Sequence, residues 1–230
     1  MSTINVLLEV DDCSAELPLR LYVEASCVAD SIPFEDRPSI VYEFISKALG
    51  VVEEEVADSR ARLSALTILS SALLRLHSLP LSESNSLANQ ITLLSSKLFK
   101  KADQVRALLA CAFLFWDSHV DGKNEPIRDG AKVFQIISRA IKMAAQCMEP
   151  VVQVQLLVHI ISSLHRLYEE GCEEVDDNVV AEVVGRARDC AAQLERCPEA
   201  ESVERHLAAT LAHIKKERAR GGALANLLRL

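Results

Sequence analysis

The segment that most restricts this chain is Lys100-Lys-Ala-Asp-Gln-Val-Arg-Ala-Leu-Leu-Ala-Cys-Ala-Phe-Leu-Phe-Trp116. Val105, Leu108, Leu109, Ala112, Phe113 and Trp116 recur at i, i+3, i+4, i+7, i+8 and i+11, a continuous helical stripe. The other side is not polar, because Ala107, Ala110, Cys111, Leu114 and Phe115 form a second apolar stripe. A helix that is apolar nearly all round must be covered on more than one side. Other helices of the fold, or a partner's surface, must therefore enclose it.

The remaining sequence supplies candidates for that cover. Prolines and polar clusters punctuate a succession of apolar helical patterns, and no strand pattern of any length appears. The first helix is expected over 14–31, with Leu17, Leu21, Tyr22 and Val28 on apolar rows, and the second over 38–52. An acidic stretch, 52–58, leads into a third helix ending near His77, where carboxylates suit the positive end of the helix dipole. Ser82 is the expected cap of a fourth helix ending in Lys97-Leu-Phe-Lys-Lys101. The opening segment is the fifth helix, and 117–126 is the longest polar loop.

Helices six and seven follow over about 129–148 and from Glu149-Pro150 onward. Asp177 or Asn178 is the expected N-cap of the eighth, and Cys197-Pro198 precedes the ninth, with Gly221 as its C′ residue. Taken in pairs, the helices start near Ser14, Asp58, Lys101, Glu149 and Ala200, at intervals of 43 to 51 residues. Repeats of HEAT type run about 40–47 residues. The expected fold is therefore all-α: an α-solenoid of HEAT-like antiparallel helix pairs, one domain over residues 1–230, with a globular nine-helix bundle as the alternative. Residues 1–13 and 221–230 are expected to be flexible or to dock on a partner.

Composition narrows the function. Half of the residues are hydrophobic but only 4% aromatic, as suits closely packed helices. A net charge of −8, from 25 basic and 33 acidic residues, lacks the basic footprint of a nucleic-acid binder. Seven cysteines without a CxxC pair read as reduced thiols in a cytosolic protein. The start of the chain lacks a basic n-region, so no signal peptide is expected. The longest charge-free runs are about half the length of a membrane span, which predicts a soluble protein reaching membranes only through partners.

The six histidines form no metal pattern, and His159 and His165 stand on different sides of one helix. Asp117-Ser118-His119 holds triad residue types, but sequence neighbours cannot adopt triad geometry. No GxGxxG or GxxxxGK[ST] is present to cradle a phosphate. Glu53, Glu54 and Glu55 read as a solvated helix junction more readily than as catalytic carboxylates. No pattern supports an enzyme or implies a cofactor or metal. What remains is a charge pattern: Glu53 to Glu55 against Lys97, Lys100, Lys101, Arg139 and Lys142, suited either to self-association or to ordinary solvated helix ends.

Four ordered blocks carry a resemblance. They are Leu17-Pro-Leu-Arg-Leu21 with Tyr42-Glu-Phe-Ile-Ser46, Asp58-Ser-Arg-Ala-Arg-Leu-Ser-Ala-Leu-Thr67, the run from Lys97 to Trp116, and Ala144-Ala-Gln-Cys-Met-Glu-Pro-Val-Val-Gln-Val-Gln-Leu157. Together they resemble the C-terminal part of the retromer scaffold subunit, the vacuolar protein sorting thirty-five family, whose members are much longer. The resemblance implies a non-enzymatic α-solenoid, peripheral on the cytosolic face of endosomes, that supports retrieval of membrane cargo to the Golgi or plasma membrane. It implies a partner, the phosphoesterase-fold retromer subunit (vacuolar protein sorting twenty-nine), met through the fifth helix near Phe113 and Trp116. The family often carries His at the position of Phe113. It also implies a homodimer through Glu53, Glu54 and Glu55 on one side and Lys97, Lys100 and Lys142 on the other, with Ser138 where the family can have Lys. A generic helical-repeat adaptor with an unrelated protein partner is the alternative.

Overall fold

The computed structural model describes residue 4, residues 15–123 and residues 125–219. Among these it forms nine α-helices and no strand beyond one isolated antiparallel bridge, His119 with Pro126. The chain divides into two compact units, residues 1–129 and 130–230. Unit one holds α1 (Glu16–Ser31), α2 (Arg37–Glu54), α3 (Ser59–Arg75), α4 (Leu81–Ser96) and α5 (Lys101–Leu114). Unit two holds α6 (Gly130–Ala144), α7 (Pro150–Glu169), α8 (Asp177–Ala192) and α9 (Pro198–Ala219). Within each unit, short links join helices that pack on one another, so successive helices there run antiparallel, the all-α helix-pair construction of an α-solenoid. Gly221 and the two expected free ends (residue 4 apart) lie outside the described residues.

In unit one, α3 packs against each of the other four helices. Its start is specified by Asp58, whose Oδ2 accepts a hydrogen bond from the Ala61 amide at 2.7 Å. It ends at Arg75, before His77, because the His77 and Ser78 amides turn instead to the carboxylate of Asp30, at 3.1 and 2.9 Å. The first helix buries Leu19, Tyr22 and Val23, whereas Leu17, Leu21 and Val28 are exposed. Both sets are apolar, and periodicity does not say which faces α2 and α3. The fourth helix starts at Leu81 and is not capped by Ser82. Pro80 already has the extended geometry of an N-cap (φ −60°, ψ 150°), and its carbonyl accepts from the Ser84 amide.

In unit two, α7 packs against α6, α8 and α9 and is buried over most of its circumference, from Val154 to Leu167. It closes in a Schellman motif: the Cys172 amide donates to the Leu167 carbonyl and the Gly171 amide to that of Tyr168, with Gly171 at φ 83°. The cap of α8 is Asp176, one residue before the expected Asp177 or Asn178. All three side-chain types can cap, but Asp176 Oδ1 is the one placed to accept from the Val179 amide, at 2.9 Å. That bond, with one from the Asn178 side chain, holds the Asp176 carboxyl below its ordinary range.

Gly171→Ala tests the motif. A Cβ in the left-handed region costs about 1–2 kcal/mol, so urea unfolding should show that loss of stability. No loss would mean the turn is free to relax out of the left-handed conformation.

Candidate functional site

The expected site residues fall into two groups, and the fifth helix carries the first. α5 buries Gln104, Val105, Ala107, Leu108, Leu109, Cys111, Ala112 and Leu114. Only Arg106, Ala110 and Phe113 interrupt this cover between Gln104 and Leu114; each is partly exposed, and they sit at i, i+4 and i+7, one narrow stripe. Arg106 Nη1 lies 3.0 Å from Asp103 Oδ1 one turn earlier. Inside, Cys111 Sγ is 3.3 Å from the Ser95 hydroxyl of α4, and burial pushes the thiol pKa up. A buried neutral thiol behaves as a small apolar side chain. The described cysteines are all free thiols; Cys13 lies outside the described residues.

Trp116 is not in the helix. The last turn tightens as the Phe115 amide donates to Ala112 and the Trp116 and Asp117 amides to Phe113. The chain then runs out to residue 119 and returns from 126, with Ile127 donating to Ser118, Arg128 to Trp116 and Asp129 to Phe115. Phe115 and Trp116 are thereby buried, Trp116 to 3% exposure. Phe113 alone of the two expected contact residues presents an open edge; Trp116 lies beneath the Arg128 guanidinium, 4.6 Å from its ring centroid.

The loop is more ordered than its polar composition suggests. Val120 to Lys123 is a turn closed by the Lys123 amide on the Val120 carbonyl, with Asp121 and Gly122 at φ 55° and 66°. Positive φ at both central positions is the requirement of a type I′ turn, for which Asp-Gly is a favoured pair. Asp121 and Gly122 donate to the carbonyls of Leu79 and His77, and His119 stacks on His77 at 4.8 Å. Arg128 has φ 56°, rare for a residue with a Cβ, and its Nη1 is 3.5 Å from Asp117 Oδ1. Strained positions of this kind persist only where surrounding contacts over-determine them. Arg128 escaped sequence reasoning; the Asp121-Gly122 pair was the one signal that the loop doubles back.

The second group is charged. Glu53 and Glu54 are the last two residues of α2 and Glu55 is its C-cap. They therefore do not sit at the start of α3, where the dipole would favour them; that reasoning holds for Asp58 alone. Lys97 is the C-cap of α4 and Lys100 the N-cap of α5, so Lys100 stands at the positive end of a dipole. All five are exposed and none makes an ion pair with a described residue. Lys142 is exposed in the last turn of α6, in unit two. Among the described residues no three His, Cys, Asp or Glu side chains gather as a metal site, and no helix is long and apolar enough to cross a membrane.

The family model described as vacuolar protein sorting-associated protein 35 matches residues 1–189. Vacuolar protein sorting-associated protein 35 of Schizosaccharomyces pombe is 30% identical over 172 residues, 75% of this chain and 20% of that relative. Proteins 35A and 35B of Arabidopsis thaliana are 29% and 34% identical over 92% and 74% of the chain, and 26% and 21% of their own lengths. The chain thus spans about a fifth to a quarter of the length of the relatives it matches.

Two substitutions at Arg128 separate strain from contact. Arg128→Ala removes the cation over Trp116 and leaves the left-handed strain, whereas Arg128→Gly removes both. The glycine variant should be more stable than the alanine variant by about 1 kcal/mol in urea unfolding. Followed through the fluorescence of the single tryptophan, equal stabilities would show that residue 128 is not held at positive φ.

Proposed function

Because the chain belongs to the vacuolar protein sorting-associated protein 35 family, we propose that it is a scaffold piece of the retromer, not an enzyme, acting in retrieval of membrane proteins from endosomes. The observation that carries the binding role is the open stripe on an otherwise enclosed helix. α5 buries its apolar surface except along Arg106, Ala110 and Phe113, and a half-buried aromatic beside a pinned, strained loop is a preformed contact.

In this reading the phosphoesterase-fold retromer subunit, vacuolar protein sorting twenty-nine, packs against Phe113. Trp116 supports that contact from below, through Arg128. Phe113 stands where the family often has His, so its contribution is apolar packing. Attachment to endosomes on the cytosolic face is through other subunits. The expectation of one solenoid domain over residues 1–230 belongs to the same proposal.

Self-association through charge is the second part. Glu53, Glu54 and Glu55 of one copy face Lys97 and Lys100 of another, with Lys142 as a further basic position. The supporting observation is local misplacement: carboxylates at the negative end of α2 and a lysine at the positive end of α5, each against its dipole and without an ion pair. Natural sequences break local rules mainly where function asks for it.

The purified chain should capture the phosphoesterase-fold subunit, and Phe113→Asp should abolish capture while circular dichroism stays unchanged. A folded Phe113→Asp chain that binds as before would remove Phe113 from the interface, and no capture by the unmodified chain would favour a helical-repeat adaptor with another partner. For self-association, reversing Glu53, Glu54 and Glu55 to Lys should leave a monomer by light scattering at low salt. An unchanged mass would count against the charged contact.

A further inference from the structure

The self-association just proposed rests on charge, which favours encounter and register more than it holds two surfaces together. Two uncharged features lie beside those charges. Phe99 is 89% exposed, on the four-residue link between α4 and α5, with Lys97 on one side and Lys100 on the other. Its neighbour Leu98 is buried, and the Leu98 carbonyl accepts from the Gln104 side chain, so the link is anchored without Phe99. Nothing in the α4–α5 junction requires an aromatic ring in water.

The second feature is a cavity of about 230 Å³ between the start of α1 and the start of α3. Leu19, Val56 and Ala65 are buried at its floor and Ile68 lines its wall. Glu55 and Asp58 stand exposed at its mouth, next to Glu53 and Glu54. An apolar cavity of about 150 Å³ is enough to hold a benzene ring. The chain's own Phe99 does not fill it, since that ring is almost wholly in solvent.

We infer that Phe99 of one copy inserts into this cavity of a second copy, inside a ring of ion pairs between Lys97, Lys100 and the Glu53–Glu55 segment. The inference rests on the self-association reading and names its anchor. An aromatic knob flanked by lysines matches an apolar hole flanked by carboxylates in size, polarity and charge. Because knob and hole belong to the same unit of one chain, a two-fold pairing uses both copies' knobs and both holes. An aromatic anchor seated in a desolvated pocket and ringed by polar contacts is the usual arrangement of a binding hot spot.

The test is sedimentation equilibrium of the whole chain over a range of concentrations, at low salt and at about 1 M salt, where exposed charges are screened within about 3 Å. The unmodified chain should form a dimer that weakens but survives at high salt. Phe99→Ala changes a side chain already in solvent, so the fold should stay intact by circular dichroism while the dimer dissociation constant rises about ten- to a hundredfold. Ala61→Trp, at an exposed position lining the cavity, should weaken the dimer similarly, and the two changes combined should do little more than either alone. If Phe99→Ala dimerises like the unmodified chain while the Glu53, Glu54 and Glu55 reversal does not, charge alone carries the contact and the knob is overturned, with self-association intact. A chain that stays monomeric at every concentration overturns both.

Discussion

The fold of unit one depends on enclosing α5. At about 100° per residue, the buried positions from Gln104 to Leu114 cover about 220° of the helix. Each large apolar side chain removed from water contributes about 1.5–3 kcal/mol, so leaving Val105, Leu108, Leu109 and Leu114 of this arc open would cost about as much as the whole stability of a typical domain. One neighbour covers about a 100° stripe. Two are needed, and α3 and α4 supply them within the unit. The short α4–α5 link, anchored by Leu98 and Gln104, and the returning hairpin over Phe115 and Trp116 follow from the same demand. They close the two ends of a helix that cannot be left half-wrapped. What stays open is the Arg106, Ala110 and Phe113 stripe.

Against that economy, the placement of several charges is costly. A charge on the wrong end of a helix dipole loses about 0.3–1 kcal/mol relative to the right one. Asp58 and Asp176, as caps, and Lys142, in the last turn of α6, sit where the dipole favours them. Glu53, Glu54 and Lys100 do not. The contrast within one chain matters more than any single value, because it separates charges that serve the fold from charges the fold merely tolerates. Tolerated charges near an exposed phenylalanine and an apolar cavity are a pattern that helix stability does not account for.

Much of this was legible in the residues, for identifiable reasons. Helix order followed from proline positions and 3.6-residue periodicity, which report backbone restriction and burial directly. Helix ends were less legible. Pro80 outcompeted Ser82, Asp176 outcompeted Asp177 and Asn178, and Asp30 drew off the amides that would have extended α3 to His77. Each outcome turns on which acceptor reaches a given amide, a tertiary fact. The apolar rows expected on α1 took in Leu17, Leu21 and Val28 beside Tyr22, but Leu19 and Val23 supply a second apolar stripe with Tyr22, and it is Leu17, Leu21 and Val28 that lie outside. The ambiguity of Trp116 had a similar origin: its position continued the stripe of α5, but the helix ends at Leu114 and the ring is buried by a hairpin, under Arg128. The left-handed Arg128 had no sequence signal of its own.

The two proposed surfaces occupy opposite ends of one element. Phe99 precedes the first residue of α5, and Phe113 is in its last turn. Fourteen helical residues at about 1.5 Å each set those ends about 21 Å apart. An α-helix buried on most of its circumference does not bend to bring its ends together, so a protein seated on Phe113 and a second copy seated on Phe99 need not compete for the same ground. The property that forces α5 into the core, an apolar surface on nearly every side, is also what keeps the two surfaces at a fixed spacing. In that sense the proposed scaffold role begins with the burial of a single helix.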